Sequence, residues 1–186
     1  MFEFVNRIPP LVRVPVRYGV IGGVLGFILV IILYYIGRHP MLVIPVFDFR
    51  VALFGVFMYF TLKELRDYHF GGLLFFGQGM AASAIFVIVF GLIASTLIWI
   101  FSKNVPGFVT EYAELLTNQL KSYPPETIEQ IGNERFAESL AQLKSTTGAD
   151  IAKLYFRNGI IIGFFISIVI SVILRRQPQN QNPINP

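Results

Sequence analysis

The sequence predicts an all-α polytopic membrane protein: four transmembrane helices, with an extracytoplasmic two-helix hairpin between the third and the fourth. Three observations predict it. Of 186 residues, 54% are apolar and only 14% are charged, whereas a soluble domain carries about 25% charged residues. The mean hydropathy is +0.63. The apolar residues gather into four runs, each near the ~20 residues a helix needs to cross the hydrocarbon core.

The first run, Arg17–Gly37, has no internal charge. A secretory leader would carry a shorter apolar stretch and a small-residue cleavage site. This run ends in Tyr34-Tyr35-Ile36-Gly37-Arg38, so it reads as an uncleaved anchor. Residues 1–16 before it form a basic arm holding Arg7 and Arg13, and Pro9, Pro10 and Pro15 argue against a continuous helix there. The second run is assigned to 42–62 and carries Pro45, Asp48 and Arg50 in its first half. The third is assigned to 74–101. The fourth covers 155–174, with Arg157 near its start. The polar, proline-rich tail, 175–186, has too little apolar surface to order itself.

Orientation follows from basic residues beside the spans. Arg7, Arg13 and Arg17 precede the first helix, Lys63 and Arg66 join the second to the third, and Arg175 and Arg176 follow the fourth. On the other side, residues 102–154 hold five basic and seven acidic residues, a net charge of −2. Both termini are therefore expected in the cytoplasm. Trp99, Tyr34, Tyr35 and Tyr155 are expected at the outer interface.

The outer segment reads as two amphipathic helices. Thr110 is the expected cap of one running to Tyr123, and Pro124-Pro125 breaks it and opens the next. Ser145 to Gly148 is expected to end that second helix. Three roles are open for the hairpin: a lid that buries its own stripe, a partner-binding surface, or a substrate gate.

The strongest local pattern is small residues at four-residue spacing. The fourth helix has Gly159, Gly163, Ser167 and Ser171; the first has Gly19 with Gly23 and Gly22 with Gly26; the third has Gly91 with Ser95. Stripped faces let helix backbones approach closely in lipid. They serve packing within one chain or, for the fourth-helix stripe, contact with a second protomer.

Asp48 and Arg50 are the charges set well inside an apolar run, and ionisable residues there default to a functional hypothesis. Being two apart, on a regular helix they would point in nearly opposite directions and not pair. The readings are snorkelling to the outer interface with Arg157 or Arg38 as partner of Asp48, a proton or ion relay, or a structural pair binding the hairpin. Pro45 could instead leave them in an outer turn. The loop KELRDYHFGG combines Arg66 and Asp67 with Gly71 and Gly72; it reads as a solvated, orientation-fixing turn. Gln78 is a candidate hydrogen-bond donor or acceptor to another helix.

The chain has no cysteine and two distant histidines, His39 and His69, so no metal site is expected. No cofactor or catalytic residue is expected, and no nucleic acid is an expected partner because the net charge of +4 maps onto membrane flanks. Membrane lipid, and a second copy or another membrane protein, are the expected partners. A contact protein, oligomeric or accessory, is the leading reading; a small transporter or channel using Asp48 and Arg50 is the alternative.

The string LKELRDYHFGGLLFFGQGMAASAIF resembles the signature of the domain of unknown function 4199 family, through Arg66, Asp67, Gly71, Gly72, Phe76, Gly77 and Gln78. PPETIEQ resembles a stretch of that family's outer segment, and the final helix with its glycine–serine stripe and double-arginine end also fits. The Asp48–Arg50 pair departs from the pattern. The resemblance implies a four-helix protein of the inner membrane of double-membraned bacteria, and carries over no activity, cofactor or catalytic residue.

Overall fold

The computed structural model describes residues 8–42 and 48–177. Arg7, Pro45 and the tail beyond Gln177 lie outside the described residues. Seven α-helices follow in order: α1 Pro10–Tyr35, α2 Phe49–Glu64, α3 Phe76–Asn104, α4 Pro106–Lys121, α5 Pro125–Ile131, α6 Asn133–Lys144 and α7 Gly148–Leu174. A short 3-10 turn, Pro40–Leu42, precedes α2, and a π turn, Leu65–His69, follows it. Among the described residues there is no strand. One antiparallel bridge joins Leu74 to Arg176 through hydrogen bonds of 3.0 and 2.9 Å.

Three helices, α1, α3 and α7, are long and apolar enough to cross a membrane. α3 is central, with α1 on one side and α7 on the other, and α2 closes the group against α1 and α7. Phe54, Phe86 and Phe90 fill the middle, Phe54 meeting Phe90 edge to face at a ring separation of 4.7 Å. Outward faces stay apolar: Val20, Val24 and Ile28 on α1, and Ile161, Phe165 and Val172 on α7, are exposed. A soluble protein rarely exposes continuous apolar area on this scale.

Several boundaries differ from the sequence reading, each for a physical reason. α1 begins at Pro10, not at Arg17. Pro10 occupies the first helical turn, where no N–H partner is needed, and Pro15 removes only the bond to the Leu11 carbonyl. Pro15 is buried, and Val14 beside it packs with Leu62 and Leu65, which offsets that loss.

α2 is shorter than the 42–62 expected. Its 16 residues span roughly 24 Å at 1.5 Å per residue, less than the ~30 Å hydrocarbon core. α7 starts at Gly148 rather than 155 because Thr147 and Asp150 form a capping box. The Thr147 N–H donates to Asp150 Oδ2 at 3.1 Å, and Thr147 Oγ1 accepts from the Asp150 N–H at 3.3 Å. The segment between α3 and α7 holds three helices, not two. α4 already runs from Pro106, so Thr110 lies inside it and returns a bond to the Pro106 carbonyl at 3.3 Å. Gly132, at φ +93°, separates α5 from α6 in a conformation that suits glycine.

Candidate functional site

The approach to α2 is built around Asp48 and Arg50. Asp48 is the N-cap, extended at φ −67° and ψ 118°, and its Oδ1 accepts the Arg50 backbone N–H at 2.9 Å. The expectation that these residues do not pair fails because Asp48 stands outside the helix, where the helical angle between positions two apart does not apply. Arg50 Nε lies 2.9 Å from both carboxylate oxygens, and Nη2 pairs with Oδ2. Nη1 donates to the Tyr155 carbonyl at 2.9 Å, and the guanidinium sits 4.5 Å from the Tyr155 ring centre. Both residues are 7% exposed. The partner of Asp48 is Arg50, not Arg157 or Arg38. The pair binds α7, not the outer helices. A buried helix start leaves N–H groups without partners; a carboxylate satisfies one here, and a bidentate arginine neutralises the carboxylate.

Tyr155 was expected at the outer interface. Its side chain is 1% exposed, and its hydroxyl has no hydrogen-bond partner among the described residues. Trp99 is exposed, with the Lys103 ammonium 3.7 Å from its ring centre.

The other end of the helix group gathers charges from distant segments. Arg17 Nη2 donates to Glu64 Oε2 at 2.5 Å and the Tyr18 hydroxyl donates to the same oxygen at 2.9 Å. His69 Nε2 lies 3.9 Å from Glu64 Oε1. Arg66 Nε donates to Asp67 Oδ1 at 2.7 Å, and that hydrogen bond holds the Asp67 carboxyl below its usual range. Gly71 and Gly72 follow at φ +59° and +83°, with open space around them. They turn the chain into the approach to α3. Gln78 caps its own helix, accepting the Phe75 N–H at 3.1 Å, rather than bridging to another.

The small-residue faces are occupied within the chain. On α1, Gly19 abuts Val89, Gly23 abuts Ile93, and Gly22 and Gly26 abut Phe90, all on α3. A Cβ on Gly91 would stand 2.7 Å from the Phe156 ring, and one on Gly163 would stand 2.5 Å from Val87. Ser95 Oγ donates to the Gly91 carbonyl at 2.5 Å, and Ser167 Oγ to the Gly163 carbonyl at 2.6 Å. Ser171 Oγ lies against Gly79. Gly159 has more room, with Phe54 the nearest group at 3.9 Å. The α7 stripe therefore faces α2 and α3, which leaves it no room for a second protomer.

His39 carries a role that sequence reasoning missed. It is 7% exposed and packed between Tyr34, Phe108 and Tyr112. Nε2–H donates to the Phe108 carbonyl at 3.0 Å, and Nδ1 accepts the Met41 N–H at 3.4 Å. It thus docks the start of α4. Burial pushes its pKa below 6.5, against smaller opposing effects of the Phe108 carbonyl and Glu111. The unfolded chain then binds more protons than the folded one as pH falls through 6.5. Docking is expected to be full above that pH and to weaken towards the lower folded-state pKa. Hydrogen exchange along α4, followed from neutral to mildly acidic pH, should show faster exchange on acidification. His39→Gln should flatten that dependence; an unchanged profile in the variant would refute the assignment.

Among the described residues no group of three or more His, Asp or Glu is placed to hold a metal. No curated protein and no solved structure matches the chain. A family model described as "Protein of unknown function (DUF4199)" matches residues 17–176. The glycine turn, the α3 start and the α7 stripe all fall inside that match, and the chain belongs to this family.

Proposed function

We propose that this is a non-enzymatic protein of the bacterial inner membrane that acts by contact, as an accessory subunit or an oligomer. In this reading α1, α3, α7 and the shorter α2 lie in the bilayer, both termini face the cytoplasm, and α4 to α6 project outside. The observation that carries it is the state of α5 and α6, in which no residue is buried. α6 nevertheless presents Phe136, Leu140 and Leu143 on one stripe. A helix pair that keeps such a stripe half covered has surface left for a partner.

The orientation is supported by the pairings at one end. Arg17 meets Glu64, and Leu74 meets Arg176, so three separate basic flanks share one side of the molecule. Transport through Asp48 and Arg50 has no comparable support, because their charges are spent on each other and on Tyr155.

The chain has no cysteine, so Ile131→Cys gives a single reactive position on an exposed side chain. Crosslinking in native membranes is expected to give an adduct of one defined mass, with a second copy or another membrane protein. Only uncrosslinked monomer from Ile131→Cys and from Glu138→Cys alike would sink the contact reading.

A further inference from the structure

Beneath the projecting helices lies a cavity of about 580 Å³, walled by α4, α6 and the first turns of α7. That is the size of a small-molecule site. Leu116, Leu120, Leu143 and Leu154 make one wall apolar. The α7 side of the lining, which also contributes Leu154, carries Asp150, Lys153 and Arg157. Asp150 is already engaged, by Lys153 at 3.6 Å and by the Thr147 cap. Arg157 has no acidic partner among the described residues, since Asp48 is taken by Arg50. The lining therefore holds one positive charge that the chain does not neutralise, beside a surface of leucine side chains.

Depth says what could neutralise it. α7 has 27 residues and is roughly 40 Å long, about 10 Å more than the hydrocarbon core. With Leu174 at one boundary, the other falls about 20 residues back, near Leu154. Arg157 then lies one turn below that level, within snorkelling reach of phosphate head groups. We propose that this cavity seats the head group of an anionic phospholipid of the surrounding bilayer, its phosphate on Arg157 and its acyl chains running down α7 over the exposed Ile161 and Phe164. The pairing of a phosphodiester with a guanidinium is charge-assisted and directional. A zwitterionic lipid brings its own ammonium and leaves no net charge to match the site.

This rests on the membrane reading and is independent of any protein partner. The test uses the full chain in phosphatidylcholine nanodiscs containing a minor fraction of phosphatidylglycerol, released into native mass spectrometry. The expected result is one retained phosphatidylglycerol on the parent chain. Arg157→Gln should reduce retention about tenfold, the loss of one charge-assisted contact, while Arg157→Lys should keep most of it. Leu116→Trp, which fills the cavity and leaves the charge, should also expel the lipid, so the test survives if Arg157→Gln does not fold. Equal retention of phosphatidylcholine, or full retention by both Arg157→Gln and Leu116→Trp, would overturn the proposal. So would displacement by glycerol phosphate alone, which would mark a soluble ligand. A chain stripped from vesicles by carbonate would instead overturn the membrane reading beneath it.

Discussion

Arg50→Leu is expected to destabilise the protein by about 3–5 kcal/mol, the usual cost of leaving one member of a buried ion pair without its partner. The reason is local. Asp48 would keep its cap bond to the backbone of α2 and lose every other counter-charge contact. Its carboxylate would then be charged and buried, and α7 would lose the bond that Arg50 makes to the Tyr155 carbonyl. The double variant Asp48→Asn, Arg50→Met should lose much less, because asparagine still caps and no charge is stranded. Thermal unfolding of the three proteins in one detergent measures this directly. If the single variant were as stable as the double, the pair would be dispensable to the fold, and a role in moving ions would have to be reconsidered.

Gly163→Leu should be the most damaging change on the small-residue faces, and damaging within a single chain. Even a methyl group there would stand 2.5 and 2.8 Å from the two Val87 methyls, distances at which α7 and α3 must separate. Overpacking of this kind costs about 1–3 kcal/mol, occasionally more. Gly159→Ala, one turn away, meets only Phe54 at 3.9 Å. It should be neutral or stabilising, since alanine gains about 1 kcal/mol over glycine inside a helix. Adding Val87→Ala to Gly163→Ala should recover most of the loss. Melting temperatures with light scattering separate the alternatives: a stripe serving a second protomer would change mass before stability, and packing within the chain changes stability alone.

What could be read from the sequence follows the range over which each interaction acts. The first, third and fourth apolar runs and the glycine–serine spacing are local patterns, and the structure places them on α1, α3 and α7. The start of α7 was also within reach, because Thr147 and Asp150 have capping-box spacing. The start of α1 was misjudged because two of its prolines sit where a helix tolerates them or buries them usefully. The Asp48–Arg50 pairing was missed for a different reason. Sequence spacing gives side-chain direction only inside a regular element, and Asp48 is one residue outside. Contacts such as Tyr18 to Glu64, His39 to Phe108 and Arg50 to Tyr155 join positions 46, 69 and 105 residues apart. No single-chain pattern announces such pairs. The third outer helix turned on Gly132 alone, a residue whose meaning depends on a backbone angle.

The bridge between Leu74 and Arg176 is made by main-chain atoms alone, N–H to carbonyl in both directions. It ties the approach to α3 to the first residues beyond α7, and so closes the chain from α3 to α7 into one loop. A seam of this kind is indifferent to side-chain identity. Mutation can drift freely at either position through every residue type that keeps an amide hydrogen, and only proline unfastens it. Two sites that fix how the start of α3 meets the end of α7 therefore leave almost no trace in composition, and a library of substitutions would find them by a single intolerant letter.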